Sequence, residues 1–172
     1  MKCLTPKETS RWIREQGLVE NLFVDAAPSN GGIRCDATMT YYGIECFLDV
    51  IFNQIMTEGD ILIQATDWAP SREPREFIFG AVRHELGELR PLREAPSFLV
   101  PRAESLNAVA IFALMTSFRW KCYAYGTHDR ITLYNYEGEC FDFWTDSDAK
   151  RTQFRSILKN FELDEILPTP VE

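Results

Sequence analysis

Long apolar runs are missing from this chain. No stretch of about eighteen uninterrupted apolar residues occurs, so no membrane-spanning helix is predicted. The opening Met1-Lys2-Cys3-Leu4 leads straight into polar sequence and lacks the apolar centre of a signal peptide. Histidine is scarce, with His84 and His128 alone. Cations are outnumbered: 18 Lys and Arg against 26 Asp and Glu leave a formal net charge of −8. Phosphate-backbone binding draws its affinity from clustered cations, so this balance argues against a nucleic-acid partner. It suits solubility and a basic protein partner. The five cysteines, Cys3, Cys35, Cys46, Cys122 and Cys140, are scattered and never form a CxxC pair. They read as reduced structural thiols, which with the absent signal peptide points to a cytoplasmic protein.

The motifs of common chemistries are absent too. Gly31-Gly32 is followed by neither Lys-Ser nor Lys-Thr, and there is no GxGxxG or GxSxG. That removes the phosphate loop, the dinucleotide fingerprint and the nucleophile elbow, and no cofactor is expected. The nearest approach to a catalytic pattern is His84-Glu85-Leu86-Gly87-Glu88. A helical His-Glu-x-x-His places two zinc ligands on one face with a glutamate base between them. Here Glu88 stands in place of the second histidine, and Gly87 and Pro91 predict that the helix ends there. His84, Glu85 and Glu88 therefore define the alternative reading, a metal-dependent hydrolase in which His84 and Glu88 would be the ligands. A Cys–His arrangement would have to join Cys122 or Cys140 to His128, with Asp129 adjacent. Both cysteines fall within predicted strands and His128 in a turn, which favours buried thiols.

What is present is a well-patterned fold. With 172 residues and 45% hydrophobic content, one core of ordinary size is expected. Thr5-Pro6-Lys7-Glu8 joins a capping box to proline at the first helical position, and Gly17 closes a helix over about Pro6 to Gln16. Asn21 to Asp25 reads as a strand and Pro28 to Gly32 as a turn. Ile33 to Tyr41 alternates as a strand. Ile44 to Met56 fits both periods, with the helical match running further. Ile61 to Thr66 reads as a strand. Ser71 predicts the cap of a helix through Leu86, supported by Ile78, Val82 and Leu86 at four-residue spacing and closed by Gly87. Residues 88–102 carry three prolines and read as a connection over the surface, with Phe98, Leu99 and Val100 tucking inward.

From Glu104 onward an apolar helix precedes three strands, around Trp120–Tyr125, Arg130–Tyr136 and Cys140–Trp144. Short turns between them predict an antiparallel meander. Thr145 is placed to cap the last helix, whose Phe154, Ile157, Leu158 and Phe161 form an apolar stripe. Arg151, Arg155 and Lys159 form a basic one, read as a solvated face. The expectation is α+β: a single domain, residues 1–172, with an antiparallel β-meander packed against several helices. Residues 162–172 form a tail that either docks or hangs free.

The aromatics carry the functional expectation. A meander covered by helices on one side leaves its other face open, and alternation puts Lys121, Tyr123 and Tyr125 together on one face. Tyr123, Tyr125, Tyr134 and Tyr136 on that sheet, and Trp68 in the Asp67–Pro74 loop, are thus the candidate partner surface. The composition points to a non-catalytic protein-interaction module, such as an immunity, inhibitor or adaptor protein engaging a basic partner. Self-association through the same aromatics is the third reading.

Overall fold

The structure, a computed structural model, describes residues 1–25, 32–67 and 74–166. Helix α1 (Pro6–Glu15) begins on the expected capping box. The Thr5 amide donates to Glu8 Oε2 at 2.8 Å, and the Glu8 amide donates to Thr5 Oγ1 at 3.3 Å. Each bond satisfies a donor that the first turn cannot use. The chain leaves α1 through Gly17 at φ +68°, a conformation that favours glycine.

Among the described residues, eight strands form one antiparallel sheet. They are β1 (Lys2–Leu4), β2 (Ile33–Asp36), β3 (Ile61–Asp67), β4 (Ser97–Val100), β5 (Lys121–Gly126), β6 (Ile131–Tyr136), β7 (Cys140–Trp144) and β8 (Glu165–Ile166). Their order is β1-β4-β3-β5-β6-β7-β2-β8. The expected meander is its centre, β5-β6-β7, with Tyr123 opposite Tyr134 and Leu133 opposite Phe143. The α+β class and the single domain stand.

Several elements differ from expectation, each for a local reason. Only Ile33–Asp36 of the 33–41 stretch pairs as a strand. Thr40 caps helix α3 (Tyr41–Val50), accepting from the Gly43 amide at 3.1 Å, so the alternation past Asp36 is coincidental. The helical choice for residues 44–56 holds: α3 widens into a π-turn over Ile51–Ile55. The carbonyls of Gln54, Ile55 and Thr57 accept from Gln153 Nε2 (3.0 Å), Lys150 Nζ (2.9 Å) and Arg102 Nε (3.0 Å). Asn21 to Asp25 is not a strand: Asn21 is left-handed (φ 52°) and Leu22–Asp25 makes a one-turn helix, α2. Residues 97–100 are no surface connection but strand β4, bracketed by Pro96 and Pro101 and inserted between β1 and β3. The last helix is capped by Ser147, not Thr145. Thr145 is buried and its hydroxyl donates to the Asp129 carbonyl at 2.5 Å. The tail docks as far as Ile166, through β8 and an Arg155–Glu165 ion pair at 2.8 Å.

Helices cover both faces of the sheet. On one, Ile61, Ile63, Phe98, Cys122, Ala124, Leu133, Phe141 and Phe143 meet α3, helix α4 (Pro74–Glu85), helix α5 (Ser105–Ser117) and helix α6 (Asp148–Asn160). Phe154 of α6 stacks on Phe143 with centroids 4.1 Å apart, and α5 lies over β3 and β5. On the other face, Leu62, Tyr123, Tyr125 and Tyr134 are roofed by Ile13 and Leu18, with Trp12 and Phe23 at the margin.

Candidate interaction surface

That second layer removes the tyrosine face from solvent. Tyr123 and Tyr125 are fully buried and Tyr134 nearly so. Tyr123 stacks on Tyr134 at 4.4 Å and beside Tyr125 at 5.4 Å, and Phe23 stacks on Tyr134 at 6.0 Å. The Tyr125 hydroxyl donates to Gln64 Oε1 at 3.2 Å and accepts from the Asn21 amide at 3.4 Å. Gln64 in turn donates to Glu20 Oε1 at 3.2 Å. Burial pushes the Tyr125 and Tyr134 hydroxyls above the ordinary value of 10, because a phenolate there would be desolvated. The exposure expected of Tyr123, Tyr125 and Tyr134 is thus corrected: the assumption of helices on one side fails once α1 docks. Tyr136, 40% exposed beside Lys121, still reaches solvent. Trp68 and Ser71 lie outside the described residues.

Exposed apolar side chains gather on and just after α4, although Tyr42 and Leu106 are exposed elsewhere. The apolar stripe Ile78, Val82 and Leu86 turns outward or sideways: Ile78 and Leu86 are exposed and Val82 is half-buried. The buried face is Phe79 and Arg83, four residues apart and therefore on one side of the helix. Phe79 packs edge-on against Phe98 at 5.5 Å and against Trp120 at 5.0 Å. Arg83 is a buried cation whose guanidinium donates to the carbonyls of Ala95 (2.5 Å) and Arg90 (2.8 Å). It also lies 5.7 Å from the Phe98 ring centre. Those bonds fold residues 88–95 back against the end of α4.

The outcome is a cleft of about 320 Å³ whose lining includes Phe79, Arg83, His84, Leu89, Pro91 and Leu92. A second hollow of about 380 Å³, lined by Phe77, Gly80, Ala81, His84 and Glu85, joins it at Gly80 and His84. Phe77 lines the second hollow and Leu89 the first, and they are 80% and 78% exposed. His84, from the hydrolase alternative, therefore sits on the rim, and Glu85 lines the outer hollow.

Glu88 is committed elsewhere. Its carboxylate accepts from the backbone and side chain of Arg90, at 2.8 Å from the amide, 2.8 Å from Nε and 2.5 Å from Nη2. Gly87 at φ +77° has already ended the helical turn that would bring Glu88 over His84. Among the described residues, no group of three or more His, Cys, Asp or Glu side chains is placed to hold a metal ion. The Cys–His pairing is not formed either: His128 faces Glu58 at 3.3 Å and Asp129 at 3.6 Å. Burial raises the Cys122 and Cys140 thiols, against thiolate formation.

The Glu88–Arg90 pairing has a pH signature. Hydrogen bonding to Arg90 lowers the Glu88 carboxyl from 4.5 to about 2. A folded value below the unfolded one means that the stabilisation is complete above pH 4.5 and lost as pH falls towards 2. Glu88→Gln is expected to flatten the acid limb of the stability curve in that window, read by thermal unfolding across a pH series. An identical acid limb in both proteins would show that the pairing does not persist in solution.

No family model, curated protein or solved structure matches this chain.

Proposed function

We propose that this chain is a non-catalytic protein-interaction module whose partner docks on the outer face of α4 and the cleft beside it. The observation that carries the reading is Phe77 and Leu89, two large apolar side chains almost wholly in solvent, bordering a concave surface. Single exposed apolar residues are ordinary on any protein. Here four of them, Phe77, Ile78, Leu86 and Leu89, fall within thirteen residues, and Phe77 and Leu89 line hollows that share Gly80 and His84. Such a site takes an apolar anchor from the partner and gains from desolvating it. The net charge of −8 favours a basic partner and speeds its encounter, with Glu85 and Glu88 as carboxylates lining the two hollows. An immunity, inhibitor or adaptor protein would use such a surface to occlude or tether its target.

Tagged wild type and the variants Phe77→Ala and Leu89→Ala would be incubated with native-host lysate at low and high salt and read by mass spectrometry. The expected result is a stoichiometric, salt-sensitive partner. Each variant should bind it about 30-fold more weakly, corresponding to an anchor worth about 2 kcal/mol. Their Tm should stay at the wild-type value, since both side chains are exposed. Full retention of that partner by both variants would refute the placement. Light scattering at two concentrations separates it from self-association.

A further inference from the structure

A second surface lies on the opposite side of the sheet and is independent of α4. Lys7, Arg11 and Arg14 are all exposed on α1. At about 100° and 1.5 Å per residue they fall within about 60° of one another, over about 10 Å of helix. They share a shallow hollow with Thr5, Glu8 and Ser10. Cations elsewhere are mostly committed: Arg34 to Asp142, Arg119 to Glu139, Arg130 to Asp146, and Arg155 to Glu165. Even the basic stripe of α6, conspicuous in the sequence, is largely spent, since Arg151 pairs with Asp148. Among the described residues, none forms an ion pair with Lys7, Arg11 or Arg14. Glu8, next to Lys7, is occupied by the α1 cap and by Lys2 at 3.7 Å, and Glu15, next to Arg14 and four residues after Arg11, is ion-paired with none of the three. In a chain with eight more acids than bases, three free cations in a row are unexpected.

We propose that this face of α1 binds an acidic segment of a protein, with carboxylates spaced to meet Lys7, Arg11 and Arg14. Two of the three cations are arginines, whose planar forks suit bidentate carboxylate pairing. Ser10 adds a hydroxyl donor in the same hollow. The stripe is about 10 Å long, which fits a short acidic run. A nucleic acid would run past it onto a surface of net negative charge, where phosphates are repelled.

The probe is a labelled synthetic helical peptide with glutamates three and four residues apart, followed by fluorescence anisotropy. Its all-glutamine counterpart and a single-stranded oligonucleotide serve as comparisons. The glutamate peptide is expected to bind, with affinity falling as salt rises, and the glutamine peptide is not. Joint replacement of Lys7, Arg11 and Arg14 by Gln is expected to weaken binding by about tenfold or more. Arg11→Gln alone gives a smaller loss and guards against an unstable triple variant. Replacing Arg93, Arg119 and Lys159 by Gln makes the same change in net charge and should leave most of the affinity. The assignment is overturned by absence of glutamate-peptide binding, by equal losses in both triple variants, or by preference for the oligonucleotide.

Discussion

Tyr123→Ala is expected to lower the unfolding free energy by about 3–5 kcal/mol, the range for removing a fully buried aromatic ring. The ring sits among Tyr134, Tyr125 and Phe23, and α1 closes over it through Ile13 and Leu18. Truncation leaves a cavity on the side of the sheet with the thinner cover, and the stacking contacts go with it. Tyr136→Ala is the comparison. Its ring is partly exposed at the edge of the same face, and a loss within about 0.5 kcal/mol is expected. Urea unfolding of both variants measures the difference. Equal stabilities would mean that the tyrosine face is open in solution, and would restore it as a docking surface.

Arg83→Ala should cost about 3 kcal/mol, and here the cause is polar. The substitution strips donors from the Arg90 and Ala95 carbonyls beneath α4. Each buried acceptor left without a partner costs about 1–3 kcal/mol, and the lost stem adds a cavity. Arg83→Met separates the contributions, because it keeps most of the volume and none of the donors. Arg83→Lys is not expected to rescue, since one ammonium cannot span carbonyls that a planar fork reaches together. Thermal unfolding with calorimetry reads the series. A methionine variant as stable as wild type would show that packing alone holds the 88–95 segment, and the cleft would then owe nothing to the guanidinium.

These residues mark where the sequence was legible. The α1 cap is a four-residue pattern, Thr5 to Glu8, and its bonds are as local as its signal. The meander is nearly as local, because Glu137-Gly138 turns the chain between strands that pair directly. Strands β1, β4 and β8 span three, four and two residues, too few to show a period, and each exists only because a distant strand offers an edge. Arg83 could not be found by composition: its acceptors are backbone carbonyls, which every residue has. The buried face of α4 has no clear sequence mark for a related reason. Ile78, Val82 and Leu86 make the tidier apolar stripe, yet Phe79 and Arg83 match what Phe98, Trp120 and the 88–95 carbonyls present. The concealment of the tyrosines depended on α1 reaching the second face, a long-range event with no local mark.

The strand order also has a consequence in time. Cys3 pairs with Phe98 and Cys35 with Phe141, so each early strand finds its neighbour about a hundred residues later. At a synthesis rate of about 5–20 residues per second, the nascent chain holds those segments unpaired for about 5–20 s. β2 waits longest, since β7 and β8 both lie beyond residue 139. A chain stalled or released before β7 would carry Ile33 and Cys35 on a strand with no neighbour on either side. A chain that has reached β8 is thus the shortest one that can pair every strand of this sheet.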